Sequence, residues 1–367
     1  MFEIGRSKRA EQAFAFDDIA IVPSRRTRGE EEVSLSWRID AATFEFPLIA
    51  APLDSVMSPK TAILLGRLGG LGVLNLEGLW TRYEDPEPLF DEIAACPDTI
   101  TATRRMQELY AAPVREELIG LRIRTIREAG VPAAGALSPQ NTQQYAQAVV
   151  DSGVDFFVIR GATVSAEHVS SAQEPLNLKQ FIYELDVPVI VGGCATYQAA
   201  LHLMRTGAAG VLVGFGGGAA STTRSVLGVA VPMASAVSEV AGARRDYLDE
   251  SGGRYVHVIA DGSVGNSGDI AKAIACGADA VMVGSPLAKA EEAPGRGYHW
   301  GPEAWHASLP RGERVHYGTV ATLEQILLGP ATVPDGTMNL VGALRKALST
   351  TGYTEVKEFQ RVEVVVG

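Results

Sequence analysis

The residues best suited to chemistry lie between Val211 and Val231, in the run VLVGFGGGAASTTRSVLGVAV. Its opening is short, apolar and branched, as in a strand buried on both faces, and it breaks into Gly214, Gly216, Gly217 and Gly218 before Ser221, Thr222, Thr223 and Arg224. Glycines leave no side chain in a ligand's way and permit positive φ, so several peptide N–H groups can turn toward one anion, with hydroxyls and a guanidinium beside them. Two readings fit: a pocket for a phosphorylated ligand, or a tight turn that holds nothing. Two later segments, Asp261-Gly262-Ser263 and Gly284-Ser285, are of similar make-up, and each follows an apolar run directly.

The elements around these loops repeat one phrase, an amphipathic helical pattern that stops at glycine and passes straight into a short apolar strand. RLGGLGVLN (Arg67–Asn75), DSGVDFFVIRG (Asp151–Gly161), RTGAAGVLVG (Arg205–Gly214) and ACGADAVMVGS (Ala275–Ser285) are four copies. Strands are expected near Pro47–Ala51, Leu71–Asn75, Pro132–Leu137, Asp155–Arg160, Pro188–Gly192, Ala209–Gly214, Tyr255–Ala260 and Asp279–Gly284, with helical patterns between them. Eight such units predict a closed (β/α)8 TIM barrel over residues 41–290, preceded by an N-terminal flap (1–40) and followed by an extension (291–367); an open doubly wound sheet is the competing arrangement. In a barrel the site forms at the C-terminal ends of the strands, and the loops after strands seven and eight often hold phosphate. Those loops are Asp261–Ser263 and Gly284–Ser285. A carboxylate is repelled by phosphate, so Asp261 is expected to accept hydrogen bonds from sugar hydroxyls instead. Phosphate plus ribose suggests a nucleotide.

Other classes fit less well. The formal net charge of −11 offers no basic excess for nucleic acid or an anionic membrane, and no run of 18 apolar residues exists. Cys96, Cys194 and Cys276 have neither CxxC spacing nor an even count, and the N-terminus lacks the apolar core of a signal peptide; a reducing, cytoplasmic setting is expected. Gly214-Phe-Gly216-Gly-Gly-Ala219 fits GxGxxG/A formally, but Pro232 postpones the helix the dinucleotide fingerprint requires, and no lysine follows for a P-loop. The six histidines show no paired ligand spacing, so no metal site is predicted, and His257 reads as a core histidine inside a strand.

With these residues in view, the chain resembles the IMP dehydrogenase/GMP reductase family, in particular the IMP dehydrogenase-related branch without the CBS domain pair. FDDIAIVP (Phe16–Pro23) is similar to the family's FDDVLLVP, APLDSV (Ala51–Val56) to APMDTV, and GRLGGLGVLN (Gly66–Asn75) to AREGGIGVIH. IADGSVGNSGDIAKAIACGADAVMVGS (Ile259–Ser285) is close to the family's ribose- and phosphate-binding segment, and LVGALR (Leu340–Arg345) is similar to LxGGLR. The resemblance implies that Asp261 holds the ribose of a purine 5′-monophosphate (IMP, GMP or XMP), that Gly218, Gly262, Gly284 and Ser285 bind its phosphate with Gly216 and Ser263 also at the nucleotide, that NAD or NADP is the cofactor, and that the protein is a homotetramer. Where the CBS modules are inserted after the second strand, this chain has only about 25 residues.

The resemblance breaks at the nucleophile. The family loop GPGSxCTT supplies a cysteine thiolate that attacks purine C2; the aligned residue here is Ser221, with Thr223 two positions on. An alcohol needs a strong adjacent base where a thiol, with its pKa near ~8.5, does not. The family's NAD-contacting Asp after strand four is Arg160, which would suit a cofactor 2′-phosphate or close the cofactor site, and its purine-contacting Asn after strand five is Cys194. Cys194 is therefore expected to line the purine pocket or, as the one cysteine at a strand's C-terminal end, to serve as the nucleophile. Two functions follow from the resemblance: a purine-nucleotide oxidoreductase working through Ser221 or Thr223, or a catalytically silent purine-monophosphate binder. The aromatic segment GRGYHWGPEAWH is expected either to cover the barrel mouth or to meet a neighbouring subunit.

Overall fold

The computed structural model describes residues 2–171, 175–215, 220–221, 223–306 and 312–367. Eight parallel strands close into a barrel: β1 (Leu48–Ala50), β2 (Leu71–Asn75), β3 (Ala134–Leu137), β4 (Phe156–Arg160), β5 (Val189–Cys194), β6 (Gly210–Val213), β7 (His257–Asp261) and β8 (Ala280–Val283). Each pairs with the next in chain order, and Val283 beside Ala50 closes the ring. Among the described residues the sheet is closed, not open and doubly wound.

The helix–glycine–strand phrase has a conformational cause. Helix α1 (Pro59–Leu68) starts at Ser58, whose hydroxyl accepts from the Thr61 amide, and ends where Gly69 adopts φ 105°, two residues before β2. Gly153, Gly207 and Gly277 likewise have positive φ between a helix and the following strand. Helices α2 (Glu87–Ala95), α3 (Thr99–Tyr110) and α4 (Glu116–Glu128) fill the connection from β2 to β3; α5 (Pro139–Asp151), α6 (Leu178–Tyr183), α7 (Tyr197–Met204), α8 (Met233–Glu250) and α9 (Ser267–Ala275) follow β3 to β7 in order. The C-terminal region adds α10 (Leu323–Leu328), α11 (Leu340–Thr350) and α12 (Val356–Phe359). Its last strand, Val364–Val366, pairs with Ile19–Ile21, which ties the C-terminal extension to the N-terminal segment.

Strand alternation divides the core into two shells. Ile49, Val73, Phe156, Val158, Ile190, Leu212, Ile259 and Met282 point into the barrel, while their neighbours Leu74, Phe157, Val191, Val211, Val258 and Val281 pack outward against the helices. The barrel floor is stopped by a hairpin, Trp37–Ile39 with Ala42–Phe44. Trp37 stacks on Phe44 and gives its indole N–H to His257 Nδ1 at 3.3 Å, and Phe44 leans on Phe156. His257, at the start of β7, is thus satisfied within the core, and burial pushes its pKa down. Continued one step beyond the filled layers, the inward rows bring Asn75, Arg160, Asp261 and Gly284 to the opposite end.

Candidate active site at the barrel mouth

At that end a cleft of about 660 Å³ opens, within the range of a small-ligand site. Asp261, Gly262, Ser263, Gly284 and Ser285 line it together with Arg160 and Ser221. The crowding of β6 against β7 explains the first glycine of the loop: a Cβ on Gly214, at φ 138°, would lie 2.0 Å from the Asp261 carbonyl oxygen. Gly262 then turns the chain with φ 107°, and Ser263 follows at φ 54°. Gly216 and Gly218 lie outside the described residues. Thr223 is buried and does not line the cleft; its hydroxyl has no hydrogen-bond partner among the described residues.

Arg160 and Asp261 reach the cleft as partners. Arg160 donates from Nε to Asp261 Oδ2 at 2.7 Å and from Nη2 to Oδ1 at 3.2 Å, a two-point contact between the ends of β4 and β7. Burial alone would weaken the guanidinium's hold on its proton, but Asp261, helped by Glu303, raises its pKa instead. Glu303 comes from the C-terminal region, and Ser221 Oγ donates to its Oε1 at 3.4 Å. No base beside Ser221 is visible in the sequence, since Glu303 is 82 residues away along the chain.

Cys194 is not in the cleft. Simple alternation from Ile190 would point it inward, but the pairing of β5 with β6 slips between Gly192 and Cys194, and the extra residue turns the side chain into the outer, helix-facing shell. There the thiol donates to Leu212 O at 3.4 Å, and burial pushes its pKa up to about 12. The expectation that it lines the purine pocket or serves there as the nucleophile is corrected by this bulge.

The roof of the cleft is the aromatic segment that the sequence left open between two placements. Gly301, Pro302, Glu303, Trp305 and His306 all line the mouth, with Lys289, His299 and Tyr317 beside them. It is anchored through APLDS. Ser55 Oγ meets His299 Nδ1 at 3.1 Å, and the Trp300 amide donates to Ser55 Oγ at 3.2 Å. Asp54, fully buried, accepts from Tyr110 OH and Leu79 N, both at 2.7 Å, and from Asn75 Nδ2 at 3.2 Å; Tyr110 OH in turn accepts the Trp300 indole N–H at 3.1 Å. Trp305 lies flat on Tyr110, with ring centroids 4.4 Å apart and planes at 5°. Burial raises the pKa of both Asp54 and Tyr110, although the hydrogen bonds to Asp54 oppose its rise. Among the described residues no group of three His, Cys, Asp or Glu is placed to hold a metal ion, and no helix is long and apolar enough to cross a membrane.

Comparison with known proteins agrees with this architecture. A crystal structure of an IMP dehydrogenase/GMP reductase-like protein from Corynebacterium glutamicum superposes with a TM-score of 0.95 at 49% identity, covering 100% of this chain and 97% of that one. Uncharacterised oxidoreductases of Mycolicibacterium smegmatis and Mycobacterium tuberculosis are each 52% identical over the full length of both chains. An inosine-5′-monophosphate dehydrogenase of Methanocaldococcus jannaschii is 27% identical, over 78% of this chain and 74% of that one. The family model for the IMP dehydrogenase/GMP reductase domain matches residues 13–305, and the chain belongs to that oxidoreductase family.

Proposed function

We propose that the protein binds a purine nucleoside 5′-monophosphate in the barrel mouth and does not turn it over by the family's thiolate chemistry. The observation that carries this reading is the convergence of Asp261, Gly262, Ser263, Gly284 and Ser285 in one cleft with Ser221, and no cysteine, at its edge. A carboxylate offers about four acceptor positions, so Asp261 can hold Arg160 and still receive ribose hydroxyls. Backbone N–H groups and the two serine hydroxyls then face the phosphate. Ser221 takes the place of the family's attacking thiol. Assembly as a homotetramer belongs to the same reading.

The nicotinamide cofactor that the family implies is not matched by the residues on its side of the cleft. Arg160 spends Nε and one Nη on Asp261, and Trp305 and His306 line the same mouth. A cofactor 2′-phosphate would have to share the guanidinium with a buried carboxylate. One contact favours a second reading, a slow oxidoreductase: Glu303 stands where it would receive the Ser221 proton as the oxygen attacked. The mismatch between a carboxylate's pKa and an alcohol's makes this transfer steeply uphill.

Calorimetric titration with IMP and GMP, together with NAD(P)H absorbance in both directions, tests the proposal. Binding by the wild type, its loss in Gly284→Leu, whose side chain would enter the cleft, and no turnover are expected. No binding overturns the nucleotide site; turnover by the wild type overturns the silent reading in favour of Ser221 chemistry.

A further inference from the structure

The neutral donors of the Gly262–Ser263 and Gly284–Ser285 loops leave an electrostatic question. The carboxylates of Asp17, Asp261, Asp269 and Glu303 line the cleft, against only two cations among the described residues, Arg160 and Lys289. Arg160 is matched by Asp261. A phosphomonoester carries close to two negative charges at neutral pH and would enter a mouth already rich in carboxylates.

Lys289 answers this by position. It stands four residues after Ser285, on the single helical turn Leu287–Lys289, and that turn is folded back on the loop by the Ala288 amide donating to Gly284 O at 3.0 Å. Its side chain lines the cleft, with Nζ 5.6 Å from the centroid of the Tyr317 ring, which itself lies beside His299. Among the described residues it makes no salt bridge, and Asp335 feels its charge only through space. An ammonium held over an aromatic face at the edge of a glycine–serine loop is restrained but keeps its three N–H donors for a ligand.

We propose that Lys289 supplies the charge that recognises the terminal phosphate, making the site selective for a phosphomonoester dianion over the parent nucleoside and over a phosphodiester. This rests on the purine-monophosphate reading above and names the residue that decides between nucleotide and nucleoside. A point charge is suited to the task because it follows total phosphate charge rather than one fixed geometry.

Calorimetry with GMP, guanosine and 3′,5′-cyclic GMP on the wild type, Lys289→Met and Lys289→Arg tests it. Lys289→Met is expected to lose about 10- to 100-fold in GMP affinity, the worth of a charge-assisted hydrogen bond, with guanosine and cyclic GMP unchanged and Lys289→Arg recovering part of the loss. Equal GMP binding by wild type and Lys289→Met overturns the role of Lys289 while leaving the nucleotide site standing; a wild type that binds no GMP overturns both. A measurement on the unmodified protein covers the case of a poorly folded variant. The phosphorus resonance of bound GMP is expected to show its second ionisation well below the free value of about 6. An unshifted or raised ionisation overturns the proposal.

Discussion

Arg160 and Asp261, 101 residues apart in the chain, face each other across the barrel mouth with two hydrogen bonds, Nε to Oδ2 at 2.7 Å and Nη2 to Oδ1 at 3.2 Å. Removing one member leaves the other charge nearly buried and unpaired, at a cost of about 3–5 kcal/mol, whereas replacing both by apolar groups is far milder. Arg160→Met is therefore expected to lower the melting temperature by several degrees and Arg160→Met/Asp261→Leu to recover most of it. A double variant whose loss equals the sum of the two single losses would show that the pair is not energetically coupled.

The His299 ring gives the fold an acid-sensitive component. Burial pushes its pKa from the ordinary 6.5 down to about 4, so between those values the unfolded chain takes up a proton that the folded chain refuses. Stability from this group is complete above pH 6.5 and falls as pH drops toward 4. At about 1.4 kcal/mol per pH unit, moving from pH 7.5 to 5 removes about 2 kcal/mol. Denaturant unfolding at the two pH values reads this directly, and His299→Gln is expected to show a shallower decline; the same decline in both proteins would assign the acid sensitivity elsewhere.

Tyr110 joins the roof to the barrel, donating to Asp54 and accepting from Trp300. Tyr110→Phe keeps the ring under Trp305 but leaves a buried carboxylate short of one donor and a buried indole N–H without its acceptor. A loss of about 1–3 kcal/mol per orphaned group is expected. The indole fluorescence of Trp300 and Trp305 reports whether the roof loosens with it, and an unchanged spectrum and stability would remove Tyr110 from the anchor.

The Cys194 thiol, with its pKa near 12 and its burial in the outer shell, is expected to resist iodoacetamide at pH 8 in the folded protein and to react only on unfolding. Modification of folded Cys194, or its protection by GMP, would place it in the cleft after all.

What could be read before the structure, and what could not, divides along the range of the interactions. The barrel is written locally: Gly69, Gly153, Gly207 and Gly277 each stop a helix by positive φ just ahead of an apolar strand, and this phrase survives without knowledge of distant contacts. Asp261, Gly284 and Ser285 reach the mouth because the same strands carry them there. Cys194 deceived because a single unpaired residue in β5 reverses the direction of every side chain after it, and no residue type announces that slip. The Ser221–Glu303 and Ser55–His299 contacts were illegible for a different reason. The segment that supplies them, Tyr298–His306, has no periodicity of its own and takes its shape from Asp54, Ser55 and Tyr110, more than 180 residues upstream. Helix α2 is short and capped by proline rather than by a Ser, Thr, Asp or Asn, so no local start signal marks it in the sequence.

The hairpin carrying Trp37 and Phe44 makes the barrel a vessel with a sealed bottom. Among the described residues, Glu303 and Trp305 line the open end of the cleft whose walls include Met282 and Gly284. Two molecules lodged there one above the other would be obliged to depart in reverse order of arrival, and the upper one would act as a cork.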